Sequence, residues 1–245
     1  MEEDELVSIT QGALSIMNPT TPEKVLAAGR AAGLREGTRV VEIGCGNGTI
    51  LALWGREYGI SGLGIEARPD ACRRAEKAFL EAGLGGRIAV RCMDAREYVP
   101  GEPFDCAAAI GASHIHGGFS ATLDALTGLI HDGGTIVIGD RCWRSDHTPP
   151  EFAREWPDVL TGYEILSTAR EAGFDVAAAV RSSENDWDHY ESGIWQALLS
   201  WLGDHPDHPD RDFVIDYFHR IQDGYFGYGR EYMDWAMYVL VPGYR

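Results

Sequence analysis

Residues Arg39-Val-Val-Glu-Ile-Gly-Cys-Gly-Asn-Gly48 join a short β-branched run to a cluster of glycines. Val40, Val41 and Ile43 have the pattern of a buried strand, and the apolar run at 50–54 indicates a helix. Three glycines in five positions allow a tight turn in which the backbone can approach a ligand closely. The segment therefore predicts a strand, a glycine turn and a helix, which is the entrance of a nucleotide-binding βαβ unit.

The glycine spacing and an acid inside the strand favour a nucleoside-like ligand without phosphates. The dinucleotide-binding pattern has glycines at its first, third and sixth positions, but here the sixth position is Thr49. The Lys-Ser/Thr ending of a Walker phosphate loop is also missing. Glu42, two residues before the first glycine, would repel a phosphate but could pair with a cation. S-adenosylmethionine, with its adenosine, sulfonium and amino group, meets these conditions.

The segment Val40-Val-Glu-Ile-Gly-Cys-Gly-Asn-Gly48 resembles motif I of the class I S-adenosylmethionine-dependent methyltransferases. The resemblance implies a Rossmann-like, seven-stranded and mostly parallel sheet, with the last strand antiparallel and helices on both faces. It also implies S-adenosyl-L-methionine as the cofactor. Other stretches resemble an uncharacterised bacterial small-molecule methyltransferase subgroup over nearly the whole chain: Ile16-Met-Asn-Pro19, Gly111-Ala-Ser113, Gly117-Gly-Phe119, Ser183-Glu-Asn-Asp-Trp-Asp-His-Tyr190, Gly229-Arg230 and Trp235-Ala236.

Composition limits the compartment and the partners. The formal net charge of −17 over 245 residues opposes binding to nucleic acid or to an anionic membrane surface. Five cysteines, an odd number without a CxxC pair, indicate reduced thiols and no metal site. No run of 18 apolar residues is present. We therefore expect a cytoplasmic protein, a monomer or homodimer, whose partner is a small-molecule substrate.

Short apolar strands alternate with helical segments, which predicts a mostly parallel sheet with helices on both faces. The predicted strands are 39–44, 62–66, 87–92, 104–110, 135–139, 174–180 and 235–241. Asp132-Gly-Gly134 is predicted to be a turn before the fifth strand. The resemblance implies that the last strand lies antiparallel between the fifth and the sixth. We expect one domain over 1–245, with an N-terminal helical lid at 1–33 and a helical insertion at 185–232 that forms part of the substrate pocket.

Ligands of open α/β sheets bind at the carboxyl ends of the strands, which selects the candidate cofactor residues. Glu66 ends the second strand and could accept hydrogen bonds from both ribose hydroxyls. The resemblance implies that Asp94 contacts the adenine amino group; a helix cap is the alternative and is compatible with that contact. The predicted cofactor-binding residues are Met17, Asn18, Glu42, Gly44, Cys45, Gly46, Gly48, Glu66, Ala67, Asp94, Ala95, Ile110 and Gly111.

Two histidines follow the fourth strand, where the resemblance places the sulfonium and the substrate. A neutral histidine can take a proton from a hydroxyl or an amine. We predict His114 as a catalytic base and Asp140, after the fifth strand, as an orienting acid. If the segment is extended, alternation points only one histidine toward the pocket. The alternatives are a structural hydrogen bond or a solvent-exposed loop. The predicted substrate-binding residues are His116, Trp143, Trp187 and Tyr190.

The function predicted from the sequence is methyl transfer to a small polar or heteroaromatic acceptor, at oxygen or nitrogen. A nicotinamide-dependent oxidoreductase is one alternative, which the glycine spacing and Glu42 oppose. The other is a non-catalytic regulator or scaffold that binds S-adenosylmethionine and transfers nothing. The sequence does not separate this second alternative from the enzyme.

Overall fold

The computed structural model of the protein describes residues 1–244, apart from the side chains of residues 3 and 4. Arg245, the end of the predicted single domain, lies outside the described residues. The strands are β1 (Arg39–Ile43), β2 (Ser61–Glu66), β3 (Ile88–Cys92), β4 (Phe104–Ile110), β5 (Ile130–Trp143), β6 (Leu160–Thr161), β7 (Phe174–Arg181) and β8 (Met233–Pro242). The α-helices are α1 (Glu3–Gln11), α2 (Pro22–Ala31), α3 (Thr49–Tyr58), α4 (Pro69–Glu81), α5 (Phe119–Thr127), α6 (Pro150–Ala153), α7 (Gly162–Glu171), α8 (Glu184–Asp204), α9 (Arg211–Gly224) and α10 (Arg230–Tyr232).

Seven of these strands form one sheet in the order β3-β2-β1-β4-β5-β8-β7. β1 pairs in parallel with β2 and β4, whereas β8 is antiparallel to both β5 and β7. Tyr238 of β8 pairs with Ile138 on one side and with Ala179 on the other. The predicted mostly parallel sheet, with its last strand antiparallel between the fifth and the sixth, is confirmed.

The fifth strand is longer than the sequence predicts, and the predicted turn at 132–134 is wrong. β5 begins at Ile130, which pairs with Phe104, and a register shift in this pairing accommodates the two glycines as an irregularity within the strand. At its other end β5 continues to Trp143, which pairs with Met233. The two-residue strand β6 also pairs with this end, and the sequence did not predict it. Pairing with distant strands, rather than local sequence, sets the length of β5.

Helices cover both faces of the sheet. Val25 of α2, Trp54 of α3 and Leu198 of α8 are buried in the core on one face. Leu123 of α5 and Ile165 of α7 belong to a second buried cluster. Both clusters are built from the alternating apolar residues of the central strands, which are buried on two sides as parallel sheets require. The polar ends of the strands are therefore left at one edge, where a ligand can bind.

Local capping fixes the ends of the helices that flank this edge. The Thr21 hydroxyl accepts a hydrogen bond from the Lys24 N–H at 3.4 Å, and Pro22 occupies the first turn of α2. At the start of α8, Ser183 and Asp186 form a reciprocal capping box. α8, α9 and α10 all lie between β7 and β8 in the chain, and α8 packs against α1. Within residues 1–244, no helix has the length and hydropathy that crossing a membrane requires.

Candidate functional site

The glycine turn connects β1 to α3 at the centre of the carboxyl edge. The N–H groups of Gly44 and Cys45 both donate to the Ile65 carbonyl of β2, at 2.8 and 3.1 Å. Gly48 has a φ of 76°, and a β-carbon there would lie 2.6 Å from Cζ of Phe79 in α4. Gly48 therefore allows close packing of the turn against α4, a role that involves no ligand. Its predicted cofactor contact stays a prediction.

Glu66 links the glycine turn to the start of α4. Its Oε2 accepts the Gly46 N–H at 2.9 Å, and its Oε1 accepts the backbone N–H of Arg68 at 2.9 Å. The Arg68 guanidinium also pairs with this carboxylate, at 3.2 Å through Nε. Glu66 is buried, with 6% of its surface exposed. The carboxylate thus holds the turn in place, and its predicted contact with a ribose is an additional role that stays a prediction.

Glu42 is a buried acid without a complete set of partners. Only 1% of its surface is exposed, and its Oε2 has no hydrogen-bond partner among the described residues. Burial, and secondarily the nearby Glu66 carboxylate, raise the pKa of Glu42 well above its usual value. A buried carboxyl oxygen without a partner fits a positively charged or hydrogen-bond-donating ligand group.

The side chain of Cys45 packs on the backbone of Gly64, and Cys45 lines the strap cavity. Burial raises the pKa of its thiol well above the usual range, which also makes it a poor nucleophile. Its predicted cofactor contact stays a prediction.

Residues 12–21, named the strap here, lie across the glycine turn. Asn47 Nδ2 donates to the carbonyls of Leu14 and Ser15, both at 3.2 Å. The Thr49 hydroxyl donates to the same Ser15 carbonyl at 2.7 Å. Farther along, Asn18 Nδ2 donates to the carbonyl of Ile110, the last residue of β4, at 3.2 Å. The strap is thus attached to two strand ends, which is the geometry that a lid over the site would have.

Three adjoining cavities follow the carboxyl edge. The β2–β3 cavity, of about 270 Å³, is lined by Gly44, Ile65, Ala67, Asp94, Ala95, Arg96, His114 and Ile115. The strap cavity, of about 60 Å³, is bounded by Glu42, Gly44, Met17, Asn18, Ile110 and Gly111 among others. The large cavity, of about 500 Å³, shares Met17 and Gly111 with the strap cavity and His114 with the β2–β3 cavity. The three therefore adjoin one another around the end of β4.

Asp94 caps a short 3-10 turn at Ala95–Glu97, which is the alternative that the sequence left open. Its carboxylate accepts the Arg96 N–H at 2.9 Å and pairs with the Arg96 side chain. The Arg96 hydrogen bonds lower the pKa of Asp94 to about 2. Asp94 and Ala95 line the β2–β3 cavity, so a contact with an adenine group there remains open as a prediction.

The two histidines lie on a 3-10 turn, Ser113–His116, and not on an extended segment. Alternation therefore does not govern which one faces the site. His114 lines both the large and the β2–β3 cavity, and its side chain is exposed. His116 lines neither; it lies near Asp94 and Arg96, and partial burial lowers its pKa. The structure thus does not bring the predicted substrate residue His116 to the large cavity.

The remaining predicted residues divide between the cavity and the core. Asp140, Trp187 and Tyr190 line the large cavity. Asp140 accepts its neighbour's backbone N–H, that of Arg141, at 2.7 Å. Trp143 is placed elsewhere: its ring makes an edge contact with Phe152 at 5.6 Å in the buried core, and it does not line this cavity.

Two arginines at the cavities were not predicted as site residues. The Nη1 atom of Arg68 is buried and has no hydrogen-bond partner among the described residues. The guanidinium of Arg141 stacks on Trp156, with 4.8 Å from Cζ to the ring centroid. No described carboxylate lies within 4.0 Å of the Arg141 side chain. The position of Arg141 near the end of a strand could have identified it as a site residue. Nothing in the local sequence indicated that it would stack on Trp156.

The chain is similar to known methyltransferases over nearly its full length. A methyltransferase domain model matches residues 40–134. The crystal structure of a SAM-dependent methyltransferase from Geobacter sulfurreducens, in complex with S-adenosyl-L-homocysteine, is 33% identical, with a TM-score of 0.90 over 97% of this chain and 98% of that one. A second, from Thiobacillus denitrificans with the same ligand, is 32% identical, with a TM-score of 0.91 over 99% and 100% of the two chains.

The chain is also similar to an uncharacterized protein over nearly its full length. The uncharacterized protein YjhP of Escherichia coli (strain K12) is 30% identical over 249 residues, which are 98% of this chain and 99% of that protein. These similarities confirm the predicted family and favour it over the nicotinamide-dependent alternative. The fold, the glycine turn and the relatives agree that the chain belongs to the S-adenosylmethionine-dependent methyltransferases.

Proposed function

We propose that the protein transfers the methyl group of S-adenosylmethionine to an oxygen or nitrogen of a small polar or heteroaromatic acceptor. One observation carries the proposal: the large cavity of about 500 Å³ adjoins both smaller cavities at the end of β4, through Gly111 and His114. This volume lies in the range of small-molecule pockets, roughly 300–1,000 Å³. The acidic net charge of −17 supports a small acceptor over a nucleic acid.

The residues of the two smaller cavities fit an adenosyl sulfonium compound. The β2–β3 cavity offers Ala67, Asp94 and Ala95 to an adenine, beside the buried carboxylate of Glu66 for a ribose. The carboxyl oxygen of Glu42 that lacks a partner suits a cationic group in the strap cavity. These are the proposed contacts with the cofactor.

Backbone and strap residues complete this proposed binding site. Gly44, Cys45, Ile110 and Gly111 line the strap cavity, and the side chains of Met17 and Asn18 lie over the backbone of Gly46 and Gly111. Met17 and Asn18 bound the same cavity from the strap. Closure by these two residues would separate the site from water, which strengthens the electrostatic interactions inside it.

The cofactor, when bound, supplies a methyl group that its sulfonium already activates for transfer. The protein's task is then to align the acceptor and to exclude water. The buried rings of Trp187 and Tyr190 give the large cavity an apolar wall. His114, shared by two cavities, is the proposed base for an acceptor that starts protonated, and Asp140 is proposed to orient it. We further propose a cytoplasmic monomer or homodimer.

Turnover of an acceptor panel tests the proposal. Purified protein is incubated with S-adenosylmethionine and small phenols, amines and nitrogen heterocycles, and S-adenosylhomocysteine formation is measured. For an active acceptor, His114→Ala is expected to lower kcat by about 10²-fold, the usual contribution of a positioned base. His219→Ala, at an exposed histidine of α9, is the matched control and should retain activity.

Two outcomes contradict separate parts of the proposal. Full turnover by His114→Ala would remove the histidine from the catalytic role and leave methyl transfer in place. Tight binding of S-adenosylhomocysteine, with no product from any acceptor class, would favour the non-catalytic regulator. Calorimetric titration with S-adenosylhomocysteine and with NAD measures the binding separately from the chemistry.

A further inference from the structure

Arg141 brings a positive charge to the large cavity. Its side chain lines the cavity and stacks on Trp156, and no described carboxylate lies within 4.0 Å of it. Stacking on an aromatic ring holds the guanidinium plane in one orientation and leaves its N–H edge available. An arginine fixed in this way is suited to bidentate binding of a planar anion such as a carboxylate.

Two indole N–H groups of the same cavity also lack partners. The Nε1 atoms of Trp156 and Trp187 are buried, and neither has a hydrogen-bond partner among the described residues. Trp187 is 94% buried, since 6% of its surface is exposed. A buried N–H without an acceptor is energetically unfavourable, so such groups usually have a function or a missing partner. An indole can only donate, so the partner must be a hydrogen-bond acceptor.

These groups come from three parts of the chain that meet at the cavity. Trp187, Tyr190 and Glu191 are spaced i, i+3 and i+4 on α8, which places them on one side of the helix. Arg141 of β5 is close enough to this side to lower the pKa of both Tyr190 and Glu191, against the larger effect of burial. Trp156, on the loop before β6, covers the guanidinium.

The acids around the cavity do not neutralise Arg141 by contact. Glu155 and Asp158 line the cavity mouth but are exposed, so water and salt screen them. Asp140 hydrogen bonds the backbone N–H of Arg141 and not its guanidinium. Burial raises the pKa of Glu191 to about 7, so this acid is partly neutral near that pH. The net charge of −17 opposes an anion at long range, and local contacts must supply the affinity.

On the basis of the proposed function, we infer that the methyl acceptor carries a carboxylate, which Arg141 and the indole N–H groups of Trp156 and Trp187 bind in the large cavity. The acceptor is then an aromatic or heteroaromatic acid. Its ring lies among the aromatic residues of the cavity, and its hydroxyl or amine extends toward His114 at the border of the β2–β3 cavity. Arg141 acts in this inference as the residue that determines specificity.

Binding of matched ring compounds tests the inference without any methyl transfer. Calorimetry on the full-length protein saturated with S-adenosylhomocysteine compares benzoate, benzamide and benzylammonium. It also compares quinoline-2-carboxylate with its carboxamide and its aminomethyl analogue. The acids are expected to bind at least about tenfold more tightly than the neutral and cationic compounds, because the charge-assisted pair forms only with them.

Variants of the arginine and of one indole assign the effect. Arg141→Gln should bring the ratio of the affinities for the acids and for their neutral analogues close to one. Arg141→Lys should keep part of this preference, because the positive charge remains although the planar guanidinium is lost. Trp187→Phe should weaken binding of the acids by about tenfold through loss of one hydrogen bond to a charged group. Arg220→Gln is the matched control, since Arg220 also stacks on an aromatic ring, Tyr217, but lies outside the large cavity.

The S-adenosylhomocysteine affinity and the thermal midpoint of each variant report whether it is folded. Equal or tighter binding of the amide or the amine on both rings would overturn the inference, as would an Arg141→Gln protein that still prefers acids. Failure to bind either acid would also overturn it and would leave the proposed methyl transfer to other acceptors intact. Arginine-dependent acid binding, with no methyl transfer to any acceptor, would instead retain the carboxylate site and contradict the proposed activity.

Discussion

The Cε methyl of Met17 occupies the space above Gly46 in which a β-carbon would lie. Met17 belongs to the strap, and the Gly46 N–H is bound to the buried carboxylate of Glu66. Strap, glycine turn and the end of β2 are therefore in contact at a single point.

Gly46→Ala is expected to weaken S-adenosylhomocysteine binding, because the new β-carbon displaces Met17 and with it the strap. Gly46 has a φ of 54°, so alanine there also costs about 1–2 kcal/mol of stability. Gly33→Ala is the matched control: its φ is 71°, and nothing lies within 4 Å of the added carbon. Thermal unfolding should show similar losses for both, and calorimetry a loss of affinity for Gly46→Ala alone. Equal affinities would show that the strap contact does not affect binding.

Asn47→Ala should release the strap from the glycine turn. The substitution removes the two 3.2 Å hydrogen bonds to the Leu14 and Ser15 carbonyls, worth about 1 kcal/mol each. We expect faster hydrogen exchange at residues 14–19 and faster dissociation of S-adenosylhomocysteine, measured by mass spectrometry and stopped flow. Asn185→Ala, at an exposed position of α8, is the control. Unchanged exchange in the Asn47 variant would mean that the remaining contacts hold the strap by themselves.

Binding of S-adenosylmethionine should release a proton from Glu42. Burial holds the pKa of this carboxyl well above its usual value, so below that raised pKa the free protein carries it protonated. A cationic ligand favours the carboxylate and lowers its pKa, so the proton leaves on binding. The binding heat should therefore differ between phosphate and Tris buffers of equal pH.

Glu42→Gln should abolish this buffer dependence and weaken binding, since the amide carries no charge. Glu81→Gln, at an exposed glutamate of α4, should leave both unchanged. A buffer dependence that persists in Glu42→Gln would assign the proton to another group.

Glu191 should make the protein less stable as pH rises from 4.5 to 7. Burial raises its pKa from 4.5 to about 7, so between these values the folded protein binds more protons than the unfolded chain. The contribution of protonated Glu191 to the free energy of unfolding is complete below pH 4.5, falls as pH rises through this window and is level above about pH 7. The difference in thermal midpoint between Glu191→Gln and the unsubstituted protein should increase over the same window.

Glu171→Gln, at an exposed glutamate of α7, should show no such trend and serves as the control. A constant difference between Glu191→Gln and the unsubstituted protein across this pH range would contradict the raised pKa of Glu191.

Local sequence was sufficient to predict the part of the site that β1 and the glycine turn after it form. The β-branched run before Gly44 and the apolar run after Gly48 gave β1 and α3 and the turn between them. The prediction of β8 between β5 and β7 came from family resemblance, because an apolar strand does not encode its neighbours in a sheet. The lid hypothesis for Met17 and Asn18 is consistent with the strap, although its cofactor role stays a prediction.

Other features depended on contacts between distant residues. The extension of β5 to Trp143 follows from its pairing with Met233, and this placed Trp143 in the core instead of the large cavity. The histidine segment forms a 3-10 turn, so alternation did not apply to His116. Arg141 stacks on Trp156, which a loop brings from elsewhere in the chain.

The amino-acid sequence by itself determined the methyltransferase family, the order of strands and helices, and the glycine turn with its buried acid. The family came from the resemblance of residues 40–48 to motif I, whereas the strand, turn and helix follow from periodicity and glycine conformation, which act over a few neighbouring residues. Only the tertiary structure decided which side chains share the large cavity and which charges remain unpaired there. Burial and pairing depend on residues that are far apart in the chain, such as Arg141 and Trp187, and no local pattern encodes their meeting.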